Sequence, residues 1–140
     1  MSAGEAWTRV KESFDRQGIM GLLGAELVEV GAGTCTIALP WRPELTQQDG
    51  FFHAGAVATV ADSAAGYAAL TLMPPGSRVL SVEFKLNLMA PARGQRIVAT
   101  GTVERAGRTL STVRSDIVAW QDGEPTRVAL LLATMICIRE

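Results

Sequence analysis

The sequence predicts an α+β fold in which one antiparallel β-sheet wraps around a single long helix. Residues 53–72 form an uninterrupted alanine-rich segment of helical length that contains no Lys, Arg or Glu. The other hydrophobic segments are shorter and are separated by turn residues, and residues 81–88 alternate strictly between polar and apolar side chains. Because these segments follow one another through short turns, an antiparallel sheet packed on one helix is the arrangement they favour.

The N-terminal part of the chain is amphipathic over residues 6–17. Trp7, Val10 and Phe14 are spaced i, i+3 and i+7, which places them together on a helix with charged residues between them. We therefore predict a short helix here and expect Gly18 to end it. The charged character of this segment is unlike that of a secretory signal peptide.

Six strands are predicted, two before the long helix and four after it. A Gly-Ala-Gly turn joins the first two, and Asp122-Gly123 is a strong hairpin signal before the last one. The last strand is nearly all apolar, which is typical of a central strand buried on both faces. The predicted strands are residues 22–30, 34–39, 81–88, 95–104, 109–120 and 128–138.

The long helix has clear boundaries in the sequence. A loop of polar and turn-forming residues, 40–52, leads into His53. The helix is expected to end near residues 73–76, because two prolines and a glycine in that stretch cannot continue it. A lone helix covers only one face of a sheet, so we expect a second subunit to cover the other face.

One carboxylate, Asp62, stands in the apolar middle of this helix. Burying a carboxylate without a partner costs several kcal/mol, a large part of the roughly 5–15 kcal/mol that stabilise a domain. Asp62 is therefore the first candidate for a catalytic group, against the alternative of a buried acid satisfied by Thr59 or Ser63. Small residues share its side of the helix at spacings of three and four. They are Gly55, Ala58, Thr59, Gly66 and Ala69.

The start of the helix is the second candidate position. His53, the only histidine, precedes Ala54 and Gly55, and the free N–H groups of a helix N-terminus stabilise negative charge. Asp62 is expected roughly 10–13 Å further along the helix axis. Within one chain these groups are too far apart to act on one atom, so helices from two subunits would have to combine.

Composition argues against several classes of function. The 140 residues, expected to form one domain over 1–140, are 48% hydrophobic and carry a net charge of -1, without the basic stripe of a nucleic-acid-binding protein. The long helix is too rich in small and polar residues to predict a membrane span. Cys35 and Cys137 lie in apolar strand-like segments, so we interpret them as reduced core thiols, which favours a cytoplasmic protein.

Other catalytic chemistries find no support in the sequence. It has no G-x-S-x-G nucleophile elbow, and one histidine would have to serve every role. Cys35, Cys137 and His53 do not have the spacing of zinc ligands. The glycines of the 31–33 turn lack the strand-to-helix setting of a dinucleotide-binding motif. We therefore predict no metal and no other cofactor.

A spaced set of residues runs from the loop before the helix into the following strands. It consists of Gln47-x-x-Gly50-x-x-His53-x-Gly55, then Asp62, then Ser81-Val82-Glu83-Phe84, then Leu88-x-x-Pro91-Ala92-x-Gly94. This set resembles the hotdog-fold acyl-CoA thioesterases of the phenylacetate-degradation (PaaI-like) type over roughly residues 20–138. The resemblance implies a long helix wrapped by an antiparallel sheet, homodimers that in many members pair as homotetramers, and active sites at the dimer interface.

The resemblance also implies roles for the matched residues. Asp62 would activate water against the thioester carbonyl or attack it directly, and the Ala54 N–H would be the oxyanion donor from the facing subunit. The other catalytic positions implied are His53, Gly55, Ser81 and either Gln47 or Gln48. Arg93 and Gly94 match positions where this family often contacts the coenzyme. Apart from the resemblance, Phe52 and Tyr67 are substrate-binding candidates that could line the acyl pocket. Many members have His-Gly-Gly at the helix start, where this chain has His-Ala-Gly, but the backbone N–H survives that change.

The sequence therefore predicts an acyl-CoA thioesterase that hydrolyses a thioester to a free acid and coenzyme A, without nucleic-acid or membrane partners. The alternative is a non-catalytic acyl-CoA-binding hotdog protein that acts as a sensor or carrier. A hotdog dehydratase or hydratase has less support, because the His-plus-acid motif of those enzymes is absent at the helix start. The acyl group, the choice of mechanism and the choice between dimer and tetramer stay open at this point.

Overall fold

A six-stranded antiparallel sheet wrapped around one long helix forms the body of the protein in the computed structural model, which describes residues 2–139. The predicted fold class is confirmed. The helices are α1 (Ala3–Arg16), α2 (Gly18–Leu23) and α3 (Ala54–Leu70). The strands are β1 (Glu26–Gly31), β2 (Thr34–Pro40), β3 (Arg78–Leu88), β4 (Arg96–Ala106), β5 (Leu110–Gln121) and β6 (Glu124–Ile138). Their order across the sheet is β1-β2-β4-β5-β6-β3.

Two contacts hold the central helix α3 close to the sheet. A Cβ on Gly101 of β4 would lie 2.3 Å from the carbonyl oxygen of Ala64, so only glycine permits this approach. On the neighbouring strand β5, the fully buried Ser115 donates a hydrogen bond of 2.7 Å to the carbonyl oxygen of Ala61. Both contacts are within one turn of Asp62. The sheet therefore fixes the position of the carboxylate along the helix.

Side chains outside the helix also determine where α3 begins and ends. His53 is the N-cap, and its Nδ1 accepts a hydrogen bond from the Gly55 N–H at 2.7 Å. At the other end, the buried Thr71 donates from Oγ1 to the carbonyl of Ala68 and accepts from the Gly33 N–H in the β1–β2 turn. The predicted start of the helix is confirmed, and its end falls three residues before the predicted stop signal.

The N-terminal region differs from the prediction. Gly18 does not simply end α1; it opens a second short helix, α2, and β1 starts only at Glu26. Leu22 and Leu23, predicted to lie in a strand, belong to α2. Gly24 follows with a φ of 79°, a left-handed conformation that ends the helix without strain. A helix of six residues is too short to leave a clear periodic signal.

The hairpin predicted at Asp122-Gly123 is confirmed. Both residues have positive φ, 52° and 80°, as a two-residue hairpin turn with the correct twist requires. Strand β6 lies in the interior of the sheet between β5 and β3. The expectation that both of its faces are buried is wrong for the single chain. Its residues alternate between buried and partly exposed, and Leu132 is 50% exposed.

Strand β3 forms an edge of the sheet and pairs only with β6. Its predicted alternation does not bury one face, because nearly every residue of the strand is exposed in the single chain. The large apolar side chains exposed on this strand are Leu80, Val82, Phe84 and Leu88. A long, apolar and unpaired edge is rare in a chain that stays alone, since it invites strand pairing with another molecule.

Candidate active site

Asp62 is hydrogen-bonded rather than unpaired. Ser81 on β3 donates from its Oγ to Asp62 Oδ1 at 2.6 Å, and the carboxylate is only partly buried. The expected alternative partners bond elsewhere: Thr59 Oγ1 donates to the Gly55 carbonyl, and Ser63 Oγ donates to Gln17. Among residues 2–139, no cation forms an ion pair with Asp62 and no donor bonds to its Oδ2. One carboxylate oxygen is therefore oriented by a hydroxyl and the other is free to accept a proton.

A cavity of about 280 Å³ opens beside this carboxylate, between α1, α3 and β3. Among residues 2–139, its lining contains no Lys, Arg or His, and Asp62 is the only charged residue in it. The residues that line it are Ser13, Gln17, Asp62, Ser63, Gly66, Tyr67, Val79, Leu80, Ser81 and Met135. The structure thus brings together three of the predicted site residues, Asp62, Ser81 and Tyr67.

Three of the other predicted residues, His53, Ala54 and Gly55, lie at the start of α3. The His53 ring satisfies the Gly55 N–H, whereas the Ala54 N–H donates to no acceptor among residues 2–139. Ala54 is exposed, so this N–H is available to a ligand. The helix dipole adds to its attraction for an anion. The free Ala54 N–H is thus the group to which the resemblance assigned the role of oxyanion donor.

Gln47 and Gln48 occupy different environments. Gln47 is partly buried, and its Oε1 accepts from the backbone N–H groups of Asp49 and Phe51. Its Nε2 is not used in these bonds and remains a donor. Gln47 also lines a second cavity of about 450 Å³ together with Phe52 and Ala54. Gln48 is exposed and lines neither cavity. Of the two, only Gln47 lies beside the helix start.

The two cavities share no residue within one chain. Ala54 and Asp62 are eight residues apart on one helix, which separates them by about 12 Å along its axis. A single thioester carbonyl cannot contact both groups of the same chain, because reacting atoms must approach to about 3 Å. The carboxylate and the free N–H can meet on one carbonyl only if a second copy supplies one of them.

Arg93 and Gly94 lie in the loop that follows β3. The Arg93 guanidinium lies over the Phe51 ring at 4.9 Å from its centroid, near the second cavity, and is exposed. Gly94 has a packing reason to be glycine. Its φ is 140°, and a Cβ there would lie 2.2 Å from the Trp120 carbonyl oxygen. Arg93 is thus placed to reach a ligand, whereas the constraint on Gly94 comes from the fold.

Comparison with known proteins shows the family to which the chain belongs. The family model described as the Thioesterase superfamily matches residues 49–126. This chain belongs to the Thioesterase superfamily. A thioesterase family protein from Silicibacter pomeroyi is 41% identical, with a TM-score of 0.95 and coverage of 96% of this chain and 99% of that one. Both matches include α3 with Asp62 and β3 with Ser81.

More distant relatives of this superfamily member share its hotdog fold. The E. coli PaaI protein from the phenylacetic acid degradation operon is 18% identical, with a TM-score of 0.86 over 97% of this chain and 95% of that one. A Halobacterium salinarum protein, provisionally named an esterase, is 27% identical over 136 residues, which cover 91% of this chain and 89% of the relative. The predicted recognition of a PaaI-like hotdog thioesterase is thereby confirmed at the level of fold and superfamily.

The superfamily segment does not include everything that lines the site. Ser13 of α1 and Gln17, the residue that caps its end, lie outside residues 49–126, yet both line the cavity beside Asp62. The sequence analysis missed them. Their spacing of four residues on an amphipathic helix is a weak signal, since polar residues at that spacing usually face solvent. Hydrogen bonds to Tyr67 and Ser63 of α3 bring them to the cavity.

Within residues 2–139, no helix is both long and apolar enough to cross a membrane.

Cys35 and Cys137 are both buried free thiols, and burial raises the pKa of Cys35 to about 12. A thiol with such a pKa stays protonated at neutral pH and is not a nucleophile. The interpretation of these cysteines as core thiols is confirmed.

Proposed function

We propose that this superfamily member is an acyl-CoA thioesterase in which Asp62 carries out the chemistry. The observation that supports this most is the hydrogen bond from Ser81 to Asp62 at the edge of a cavity. An acid in the middle of a helix with no other charged residue, oriented by a hydroxyl and left with one free oxygen, is suited to accept a proton.

The proton transfers of the reaction need only water and the carboxylate. Water attacks the thioester carbonyl carbon and gives a proton to Asp62 Oδ2, which leaves a tetrahedral oxyanion. The intermediate collapses with cleavage of the C–S bond, and the proton passes from Asp62 to the departing thiolate. The products are a carboxylic acid and coenzyme A. Direct attack by Asp62, followed by hydrolysis of the resulting anhydride, uses the same position of the carboxylate.

The oxyanion needs a donor, which we assign to the Ala54 N–H of a second copy of the chain. This N–H is free and stands at the positive end of α3. The second copy is also favoured by the edge strand β3, whose backbone is unpaired on one side and whose apolar side chains are exposed. Pairing of two β3 strands would cover this edge and bring Asp62 of one copy towards the α3 start of the other.

His53 and Gln47 are suited to position the thioester rather than to move protons. Because the Nδ1 atom of His53 accepts the Gly55 N–H, the neutral ring carries its proton on Nε2 and presents a donor there. The Gln47 amide is held by the loop backbone through its oxygen, which leaves its N–H₂ group as a second donor. Arg93 lies over Phe51, which lines the second cavity, and is the cation best placed there to bind the phosphates of coenzyme A.

Thiol release from a panel of acyl-CoA thioesters tests the function. The panel contains phenylacetyl-, hydroxybenzoyl-, hexanoyl- and palmitoyl-CoA, measured with the parent chain and the Asp62→Asn variant. We expect turnover of at least one thioester and a loss of kcat in Asp62→Asn that exceeds any change in KM. Asp15→Asn, an equivalent exchange at an exposed ion pair on α1, serves as the matched control and should keep full activity.

Absence of turnover across the panel, with acyl-CoA binding retained in calorimetry, would contradict the enzymatic proposal. The chain would then be a non-catalytic acyl-CoA-binding hotdog protein. Turnover that persists unchanged in Asp62→Asn would instead keep the enzyme and remove Asp62 from its chemistry.

A further inference from the structure

The edge strand β3 contains one residue more than its neighbour β6 directly after Ser81. Ser81 lies opposite Met135, but the next pair in the register is Glu83 with Thr134, so Val82 is an extra residue. One extra residue on one strand of an antiparallel pair is a β-bulge, a feature that often re-aims a side chain beside an active site. We call residues 81–83 the β3 bulge. The proposed hydrolysis uses only the first of these three residues.

The β3 bulge exchanges the faces of the residues that follow it. Directly opposite residues of an antiparallel pair point to the same side of the sheet. Ser81 lies opposite the buried Met135 and faces α3. Phe84 lies opposite the buried Ala133 and faces the same side. A regular strand returns to one face only at even separations, and these two residues are three apart. The bulge therefore permits both side chains to face the helix.

A regular strand without the bulge would lose one of these two arrangements. If Phe84 and the apolar residues that alternate with it kept the face towards α3, Ser81 would point away and Asp62 would lose its hydrogen bond. If Ser81 kept that face, the charged Glu83 and Lys85 would replace the apolar side chains on it. The bulge thus connects an apolar half of the strand to a hydroxyl that points at the carboxylate.

A side-chain hydrogen bond follows the bulge on the face of the sheet away from α3. Thr134 donates from Oγ1 to Glu83 Oε1, and these two residues are the first pair of the shifted register. A hydrogen bond to a carboxylate is charge-assisted and stronger than one between neutral groups. Register is weakly specified in a strand without a buried face, and nearly all of β3 is exposed in the single chain. This bond therefore fixes the position of the extra residue along the strand.

We infer that the bond between Glu83 and Thr134 holds the β3 bulge in place and thereby aims the Ser81 hydroxyl at the carboxylate of the central helix. Glu83 and Thr134 are then positioning residues. This inference rests on the proposed thioesterase function. In the part of the chain that the structure describes, neither residue lines the cavity beside Asp62. Both therefore act only through Ser81, and their loss should lower kcat with little change in KM.

Removal of this bond in two backgrounds tests the inference. Thr134→Val keeps the branched shape of the side chain but removes its donor. Thiol release is measured with phenylacetyl-, hydroxybenzoyl-, hexanoyl- and palmitoyl-CoA. We expect kcat for the best of these thioesters to fall by about three- to tenfold in the parent chain. In the Ser81→Ala background the same exchange should have no further effect, because the hydroxyl that the bond positions is already absent. Glu83→Gln, which keeps an acceptor oxygen, should retain most of the rate.

Thr112→Val is the matched control for Thr134→Val. Thr112 is exposed on β5 directly opposite Thr134, so the same exchange is made on the same face of the sheet. Its kcat should equal that of the parent chain.

Deletion of Val82 tests the bulge itself. A continuous strand that keeps its apolar half towards α3 turns Ser81 away from the helix, so the variant, shown to be folded by circular dichroism, should hydrolyse no faster than Ser81→Ala. Where this variant does not fold, the two backgrounds of Thr134→Val decide the question alone.

The outcomes separate the two proposals. The positioning role would be overturned, and the thioesterase kept, by a parental kcat in Thr134→Val, by equal losses in both backgrounds, or by an equal loss in Thr112→Val. A folded deletion variant as active as the parent chain would overturn it as well. Absence of hydrolysis of every thioester by the parent chain would overturn the thioesterase proposal and this inference with it.

Discussion

Ser81 on the edge strand β3 donates a hydrogen bond of 2.6 Å to Oδ1 of Asp62 on the central helix α3. This bond joins the two elements on which the proposed chemistry depends. It orients the carboxylate towards the cavity and leaves Oδ2 free. It also makes the position of the acid depend on β3, the strand through which we propose that two copies of the chain associate.

Replacement of Ser81 by alanine should reduce catalysis without unfolding the protein. Ser81 is exposed, so its loss leaves no buried group unpaired. We expect kcat to fall by about tenfold, which corresponds to about 1.4 kcal/mol of lost transition-state stabilisation, because Asp62 loses its oriented position. Steady-state thiol release measures the effect. Ser81→Thr, which keeps the hydroxyl, should retain most of the rate, and equal losses in both variants would contradict this role.

Ala54→Pro removes the proposed oxyanion donor while preserving the helix. Ala54 is the first residue of α3, where proline is well tolerated, and its N–H has no partner to lose. His53 is already extended, with φ of -63° and ψ of 143°, as the residue before proline must be. Removing one such donor costs roughly 100-fold or more in kcat. Thiol release measures this loss of rate, and circular dichroism checks that the helix is preserved.

Ala3→Pro provides the control for this substitution. Ala3 is the first residue of α1 and follows an extended N-cap, Ser2, so the change in backbone chemistry is the same. This variant should keep its activity. Full activity in Ala54→Pro would show that its N–H does not bind the oxyanion.

Replacement by alanine should lower the free energy of unfolding at Gly101 and raise it at Gly66, although both glycines face packed elements. In Gly101→Ala the new Cβ would lie 2.3 Å from the Ala64 carbonyl oxygen, so the helix must move off the sheet and the free energy of unfolding should fall by about 1–3 kcal/mol. In Gly66→Ala the nearest atom is 3.9 Å away, and alanine favours the helix by up to about 1 kcal/mol. Denaturant unfolding checks both, and a similar shift in both would refute the packing argument.

The two cysteines should not react rapidly with thiol reagents in the native protein. Burial raises the pKa of Cys35 to about 12, so almost no thiolate is present at pH 8, and Cys137 is also buried. DTNB should therefore label neither thiol rapidly in the folded chain and both after unfolding in guanidinium. Rapid labelling of the native protein would mean that the core opens more readily than this packing implies.

Much of the fold followed from local patterns in the sequence. The alanine-rich segment, the Pro-Pro-Gly stretch after it and the Asp122-Gly123 turn each act over a few residues, and each was interpreted correctly. The start of β1 was predicted wrongly, at Leu22 instead of Glu26, because the six residues of α2 are too few for a helical period. The need for glycine at position 101 arises from a contact with Ala64 in another element, which no local pattern records.

The sequence identified residues of the candidate site better than it identified the contacts between them. Asp62 stood out as the one acid of an apolar helix, but its partner Ser81 is 19 residues away on another element. Ser81 was identified through the resemblance, whereas Ser13 and Gln17 were missed, because only tertiary contacts with α3 bring them to the cavity. The two halves of the proposed site are also far apart in one chain, so the sequence alone suggested a second copy without showing which edge it would use.

Subunit complementation tests the central claim most directly, namely that Asp62 of one copy works with the Ala54 N–H of another. Asp62→Asn and Ala54→Pro chains, each inactive alone, are unfolded together and refolded as a mixture. A mixed dimer then has one site with both groups intact, so random pairing should restore about one quarter of the parent activity. A mixture that stays as inactive as its two components would contradict the shared site, since each chain would then carry its own defect in a site of its own.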